Sequence, residues 1–185
     1  MNETHQSFYG PVTDKIWQKA KKIKLLICDV DGVFSDGLVY MSNAGEELKT
    51  FHTRDGYGVR SLLSSDIAVT IITGRKSKIV EDRMTTLGIE HIYQGVDNKL
   101  APYHTLLSLY NVTPEQVAYI GDDMVDLPVM KQVGLSICVA DGHPYVKQNA
   151  DFVTSIRGGH GAFRELADLI LLSQEKLETS HGMSI

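Results

Sequence analysis

Cysteine is scarce in this sequence. Two cysteines in 185 residues cannot build the disulfide framework of a small secreted domain. One of them, Cys28, lies inside an apolar run, where a buried free thiol is expected; the same is expected of Cys138. Long hydrophobic runs are also missing: no apolar stretch approaches the ~18 residues a membrane-spanning helix needs. Residues 1–22 lack the apolar core and small-residue cleavage site of a signal peptide. The expected compartment is therefore the cytoplasm, where thiols stay reduced. Basic charge is not in excess either. Lys and Arg number 18 against 23 Asp and Glu, a net charge of −5, which argues against nucleic acid or an anionic membrane as the main partner. Repeats and low-complexity segments are absent. The rest is ordinary for one soluble globular domain, with 43% hydrophobic and 22% charged residues.

Short apolar runs alternate with longer helical patterns. Ile23–Val30, Ile67–Thr73, Val117–Gly121 and Leu135–Ala140 read as strands buried on both faces, with weaker strands at His91–Gln94 and Phe152–Thr154. Helical patterns lie at Tyr57–Ser65, Lys76–Leu87, Leu100–Tyr110, Met124–Gln132 and Gly161–Leu177. This alternation predicts an α/β fold, a three-layer Rossmann-like sandwich with a mainly parallel central sheet. One segment breaks the rhythm. Leu38–Met41 and Glu46–His52 read as a β-hairpin spanning about residues 37–52, either a plain surface excursion or a flap over a site. The tail from about 178 to 185 is polar and expected to be loose.

Ligands of open parallel sheets bind at the carboxyl ends of the strands. Here those ends carry Asp29-Val30-Asp31-Gly32, Thr73-Gly74-Arg75, Asn98-Lys99 and Gly121-Asp122-Asp123-Met124-Val125-Asp126. A strand-end Asp is ordinarily a helix cap, and a lone Lys is ordinarily solvated. Four such features at successive strand ends point instead to one site. Asp29, Asp122 and Asp126 would repel one another in a shared crevice unless a cation sat among them, and hard carboxylate oxygens suit Mg²⁺. Thr73, the amides of its turn and Lys99 offer donors and positive charge for a phosphate. The set suits phosphoryl transfer, in which a carboxylate can attack phosphorus and a second acid two residues on can handle the proton. Asp29 and Asp31 have that spacing, and crowding by neighbouring carboxylates is expected to favour the protonated form of Asp31.

These residues carry a resemblance. DVDG, IITGR, Lys99 and GDDMVDL, from Asp29 to Asp126, are similar to the four motifs of the haloacid dehalogenase superfamily of phosphohydrolases. The resemblance implies Asp29 as nucleophile, Asp31 as general acid/base, and Thr73, Gly74 and Lys99 as the phosphoryl cradle. It implies Mg²⁺ held by the side chains of Asp29 and Asp122 and the backbone carbonyl of Asp31, with Asp123 and Asp126 in support. DVDGVFSDG, FHTRDGYG, QGVDNK, YIGDDMVDLPVM and RGGHGAFRE narrow it to a branch that dephosphorylates an eight-carbon sugar acid of bacterial lipopolysaccharide. Phe34 and Ser35 stand where leucine and threonine are commoner in that branch. The spacing leaves no room for a cap domain. The resemblance implies closure by neighbouring subunits of a homotetramer, with the hairpins at its centre. Arg75 would meet the sugar acid's carboxylate; relatives acting on a nine-carbon acid carry Glu there. Arg83 and Thr53 are weaker substrate-binding candidates, Arg83 reaching a neighbour's site. A non-catalytic oligomerisation or regulatory domain of the same fold is the reading from a different class. His160, among glycines, is read as part of a close-approaching loop, and His143 as a turn before a helix. His52 has no assigned partner.

Overall fold

The computed structural model describes residues 3–182. The chain opens with a strand pair, β1 (Thr4–Ser7) and β2 (Gly10–Thr13), and helix α1 (Asp14–Ala20). Next come β3 (Leu25–Cys28), the hairpin strands β4 (Tyr40–Met41) and β5 (Glu47–Leu48), and α2 (Thr53–Leu63). Three strand–helix units follow: β6 (Ala68–Ile72) with α3 (Lys78–Thr86), β7 (Ile92–Tyr93) with α4 (Leu100–Tyr110), and β8 (Val117–Gly121) with α5 (Leu127–Met130). The chain finishes with β9 (Leu135–Cys138), α6 (Pro144–Asn149), β10 (Phe152–Val153) and α7 (Ala162–Ser173).

Six strands form the parallel sheet, in the order β10-β9-β8-β3-β6-β7. Its core follows from strand alternation. Leu26 and Cys28 of β3 face a cluster completed by α1, α2, α3 and α7, while Leu25 and Ile27 face one completed by α4, α5 and α6. The result is the predicted three-layer α/β architecture, with no cap domain among the described residues. The chain leaves β3 toward β6 on one side and reaches β8 on the other. That switch point opens a crevice at the carboxyl ends of the three central strands.

Several boundaries differ from expectation for local reasons. α2 begins at Thr53 rather than Tyr57 because Gly56 and Gly58 mask its helical pattern. A Cβ at Gly58 would lie 3.1 Å from the Ala167 side chain, so glycine permits close packing of α2 on α7. His52, with no partner expected, caps this helix by accepting from the Arg54 N–H at 3.1 Å. α3 begins at Lys78, not Lys76, because the Ser77 N–H is taken by the Gln94 side chain at 2.9 Å. The helix expected from Met124 to Gln132 divides into a 3₁₀ turn, Met124–Asp126, and the short α5. α7 stops at Ser173, four residues before Leu177, where the chain turns and Glu175 adopts φ +58°. The hairpin is real but short, with Tyr40 opposite Leu48 and Met41 opposite Glu47. The first elements, β1, β2 and α1, were not expected at all. They bury few apolar side chains, and His5 stacks on Trp17 at 4.5 Å to hold them together. Of the tail expected to be loose, His181 donates its N–H to Ser64 Oγ at 3.0 Å, and Ser180 to the Lys176 carbonyl at 3.0 Å. Residues 183–185 of that tail lie outside the described residues. Cys28 and Cys138 are both buried and free. Among the described residues, no helix is long and apolar enough to cross a membrane.

Candidate active site

Asp29 continues β3, its N–H still bound to the Ile120 carbonyl at 3.1 Å. The chain then turns sharply, and the Val30 carbonyl accepts from the N–H groups of Val33, Phe34 and Ser35 at 2.9–3.1 Å. Phe34 anchors the turn by stacking on Phe163 at 4.6 Å. Gly32 makes it possible: its φ is +85°, and a Cβ there would fall 2.1 Å from Asp122 Oδ2. The glycine loop around His160 packs on the same turn. The Gly159 N–H donates to the Val33 carbonyl at 2.8 Å, and a Cβ on Gly158 would meet the Gly32 oxygen at 1.7 Å. His160 itself is exposed and bonds the Gly158 carbonyl at 2.8 Å, the loop role expected of it. His143 caps α6.

The other strand ends converge on Asp29. Thr73 is buried at the end of β6, and Asp122 follows β8. Lys99, immediately before α4, is also buried. Its Nζ lies 3.0 Å from Asp29 Oδ2, 2.8 Å from Asp126 Oδ1 and 3.2 Å from the Tyr119 hydroxyl. Burial pulls the Lys99 ammonium down, but Asp126 and Asp29 outweigh it and hold it above the usual lysine range. Asp126 is a brace. Its Oδ1 accepts from Lys99 and, at 2.6 Å, from Tyr119, while Oδ2 accepts from the N–H groups of Asp122 and Asp123 at 2.9 and 3.1 Å. A Cβ on Gly121 would lie 2.4 Å from the Asp126 carboxyl, so only glycine ends this strand without displacing the brace. Asp123 is exposed and caps the following turn by accepting from the Met124 N–H at 2.7 Å.

Asp29, Asp122 and Asp126 each place a carboxylate oxygen within 4.8 Å of the others. Burial, then Asp126, pushes the Asp29 carboxyl up to about 6, with Lys99 opposing. Burial, then Asp126 and Asp29, pushes Asp122 up to about 8. Such crowding of hard oxygen donors beside an open pocket is the donor set a small divalent cation fits.

The pocket is a cleft of about 280 Å³ lined by Asp29, Asp31, Gly37, Thr73, Gly74, Arg75, Asp122, Asp123 and Val125. A larger hollow of about 490 Å³ lies at the opposite edge of the sheet, among Lys21, Lys22, Lys24 and Lys176; it holds none of the expected site residues. The cleft gathers both expected acids of the chemistry, Thr73, Gly74 and Arg75. Thr53 and Arg83 do not line it. Thr53 is exposed at the start of α2, and the Arg83 guanidinium lies 2.7 Å from where a Cβ of Gly56 would sit, against α2.

One contact was not expected. Asp31 shares the cleft with the carboxylates of Asp29, Asp122 and Asp123, but its charged partner is the ammonium of Lys49, which binds Oδ1. Lys49 also holds Glu47 Oε1 at 2.9 Å, and Glu47 Oε2 takes Arg75 Nη2 at 3.2 Å. The sequence reading missed Lys49 and Glu47. The signal lay in the hairpin, where two charged residues flank apolar Leu48 and so share the opposite face.

With the site assembled, similarity fixes the class. A haloacid dehalogenase-like hydrolase pattern matches residues 89–166, and phosphatases of that class match nearly the whole chain. The chain belongs to the haloacid dehalogenase-like hydrolases. Its relatives are more specific. A 3-deoxy-D-manno-octulosonate (KDO) 8-phosphate phosphatase of Yersinia pestis is 62% identical over 177 residues, 96% of this chain and 95% of that protein. A crystal structure of a KDO 8-phosphate phosphatase from Y. pestis has a TM-score of 0.98 at 59% identity, covering 100% of both chains. One from Moraxella catarrhalis, solved with a magnesium ion, a phosphate ion and KDO, has a TM-score of 0.87 at 41% identity. It covers 90% of this chain and 95% of that one.

Proposed function

We propose that the protein is a Mg²⁺-dependent KDO 8-phosphate phosphatase that releases KDO and inorganic phosphate in the cytoplasm, for lipopolysaccharide synthesis. The observation that carries the chemistry is the convergence of Asp29, Asp31, Thr73, Lys99 and Asp122 at the ends of four elements far apart in sequence. The relatives' shared activity carries the substrate.

The cation, held by the side chains of Asp29 and Asp122 and the backbone carbonyl of Asp31, offsets negative charge on the phosphate and the acids. Lys99, aimed by Asp126 and Tyr119, neutralises the Asp29 oxygen it touches and adds positive charge beside the phosphoryl group. Thr73 and the amides of its turn bind phosphoryl oxygens. Asp29 attacks phosphorus; the P–O bond to the sugar breaks, and Asp31 gives its proton to the departing alkoxide. Water then attacks the aspartyl-phosphate, Asp31 takes the proton back, and Asp29 is freed with release of phosphate. Arg75, at the pocket rim, receives the sugar acid's carboxylate after Glu47 yields it.

The cleft has no cap. The hairpin beside it exposes Leu38, Tyr40, Met41 and Leu48, too much apolar surface for a solvated flap, and a two-stranded hairpin alone is marginal in water. Association of hairpins into a homotetramer would bury that surface and bring neighbours over each cleft. A turnover panel of KDO 8-phosphate, a nine-carbon acid 9-phosphate and simple sugar phosphates, with Mg²⁺ and with excess chelator, tests the reading. The expected result is preference for KDO 8-phosphate and reversible loss in chelator. Preference for another substrate, or full activity in chelator, overturns it.

A further inference from the structure

The mechanism uses Asp31 but not the cation that holds it. Lys49 follows β5, and its side chain is only 1% exposed although it belongs to a surface hairpin. Leu48, its neighbour, is 64% exposed on the opposite face. A lysine with a four-carbon stem ordinarily carries its ammonium out to water, so burial here requires compensation. Two carboxylates provide it, Asp31 through Oδ1 and Glu47 through Oε1 at 2.9 Å. Glu47 in turn grips Arg75 at 3.2 Å. Alternating charges therefore run from Asp31 in the cleft to Arg75 at its rim, and the hairpin supplies the two middle members.

An ammonium is a donor only. The oxygen it binds is an acceptor and cannot carry an acid proton along the same line. Both donors that reach Asp31 among the described residues, Lys49 Nζ and, more distantly at 3.5 Å, Ser35 Oγ, go to Oδ1. We infer that Lys49 is a positioning residue for Asp31: it pins Oδ1, so that Oδ2 is the oxygen that gives the proton to the leaving alkoxide and takes it back from water. Glu47 tethers Lys49 in that post. The inference rests on the reading of Asp31 as acid/base and says which of its oxygens acts and what fixes it.

The test compares kcat/KM for KDO 8-phosphate with that for 4-nitrophenyl phosphate. The first has an alkoxide leaving group that needs a proton; the second leaves unassisted. kcat/KM covers only steps up to release of the alcohol, so the shared hydrolysis step does not enter. Lys49→Met is expected to cost about 10²-fold on KDO 8-phosphate, the scale of a misplaced catalytic group, and far less on the aryl ester. Lys49→Arg should recover most of the loss. Glu47→Gln, at a partly exposed site that tolerates change, should give a smaller loss in the same direction, and it carries the comparison if Lys49→Met does not fold. In an Asp31→Asn background the selective effect of either variant should vanish. Equal losses on both substrates, an unchanged ratio, or selectivity that survives in Asp31→Asn overturns the role of Lys49. If Asp31→Asn itself depresses both substrates equally, the acid/base reading fails instead.

Discussion

Asp55 offers a direct test of how the fold around the cleft is held. It lies in α2, is 1% exposed, and accepts the Arg164 N–H of α7 at 2.9 Å through Oδ1, with the Gly161 N–H also bound to it. Its Oδ2 is buried without a partner. Burial outweighs the two backbone bonds and pushes the carboxyl up from 3.8 to about 7. A raised native value means that folding takes up a proton between those limits. The stabilising contribution is complete below about pH 4 and is lost as pH rises through 7. From pH 5 to pH 8, a native value near 7 predicts a loss of roughly 2–3 kcal/mol from this group alone, at about 1.36 kcal/mol per unit. Asp55→Asn keeps an oxygen to accept the same N–H groups but cannot ionise. Urea unfolding of both proteins at pH 5, 6, 7 and 8 cancels every other titrating group in the difference. Relative to the wild type, the variant should gain that amount of stability between pH 5 and pH 8. A difference that does not vary with pH refutes the account of Asp55 as a buried carboxylate under strain of charge.

Asp29→Asn should unfold normally in urea yet show no turnover; appreciable activity would remove Asp29 as nucleophile. Gly32→Ala forces a Cβ to within 2.1 Å of Asp122 Oδ2 at a φ of +85°. It should weaken Mg²⁺ binding at least about tenfold in calorimetric titration, as displaced metal-site support does, and unchanged affinity would contradict the metal placement. Arg75→Ala should lower kcat/KM for KDO 8-phosphate by about 1.5–3 kcal/mol, the scale of a charged hydrogen bond. It should spare a phosphate lacking the carboxylate; equal losses would assign Arg75 to the phosphoryl group. If hairpins join in the proposed homotetramer, Leu48→Glu should lower the sedimenting mass, whereas a fully active wild-type monomer at micromolar concentration would rule that assembly out.

The sheet was legible because both of its faces are covered. Buried parallel strands such as Leu25–Cys28 and Val117–Gly121 are continuous apolar runs, and the chemistry follows each run directly, so neighbours in sequence mark the site. Elements that depend on distant partners were harder to read. α2 carries two glycines, and its early start is held by His52 and by packing on α7. The first three elements are held by contacts such as His5 on Trp17 and Tyr9 on Asp168, the second pair 159 positions apart at 2.9 Å. Thr53 follows the hairpin directly in sequence, yet as the first residue of α2 it does not line the cleft of its own chain; Arg83, expected to reach a neighbour's site, lies against α2. Lys49 escaped because no motif announces it. Its contact with Asp31 depends on how the hairpin folds back, and the anchors of that fold, Tyr40 on Asp36 at 2.6 Å and Glu47 on Arg75 at 3.2 Å, join residues that no local pattern pairs.

Charge balance explains why the legible and the hidden residues belong to one design. Asp29, Asp122 and Asp126 crowd together with Lys99 as their cation. Three carboxylates and one ammonium leave two negative charges, the complement of one divalent cation. That cation would make the floor of the cleft neutral and still leave the Lys99 ammonium close to the incoming phosphate. The rim is a separate set. Asp31 and Glu47 alternate there with Lys49 and Arg75, and when Asp31 carries the proton it gives to the leaving group the rim holds one net positive charge for an anionic substrate. A sugar acid phosphate brings anionic charge at both ends. The carboxylate that we propose Arg75 receives would meet a guanidinium held by a single contact to Glu47 at 3.2 Å, while Glu47 also holds Lys49.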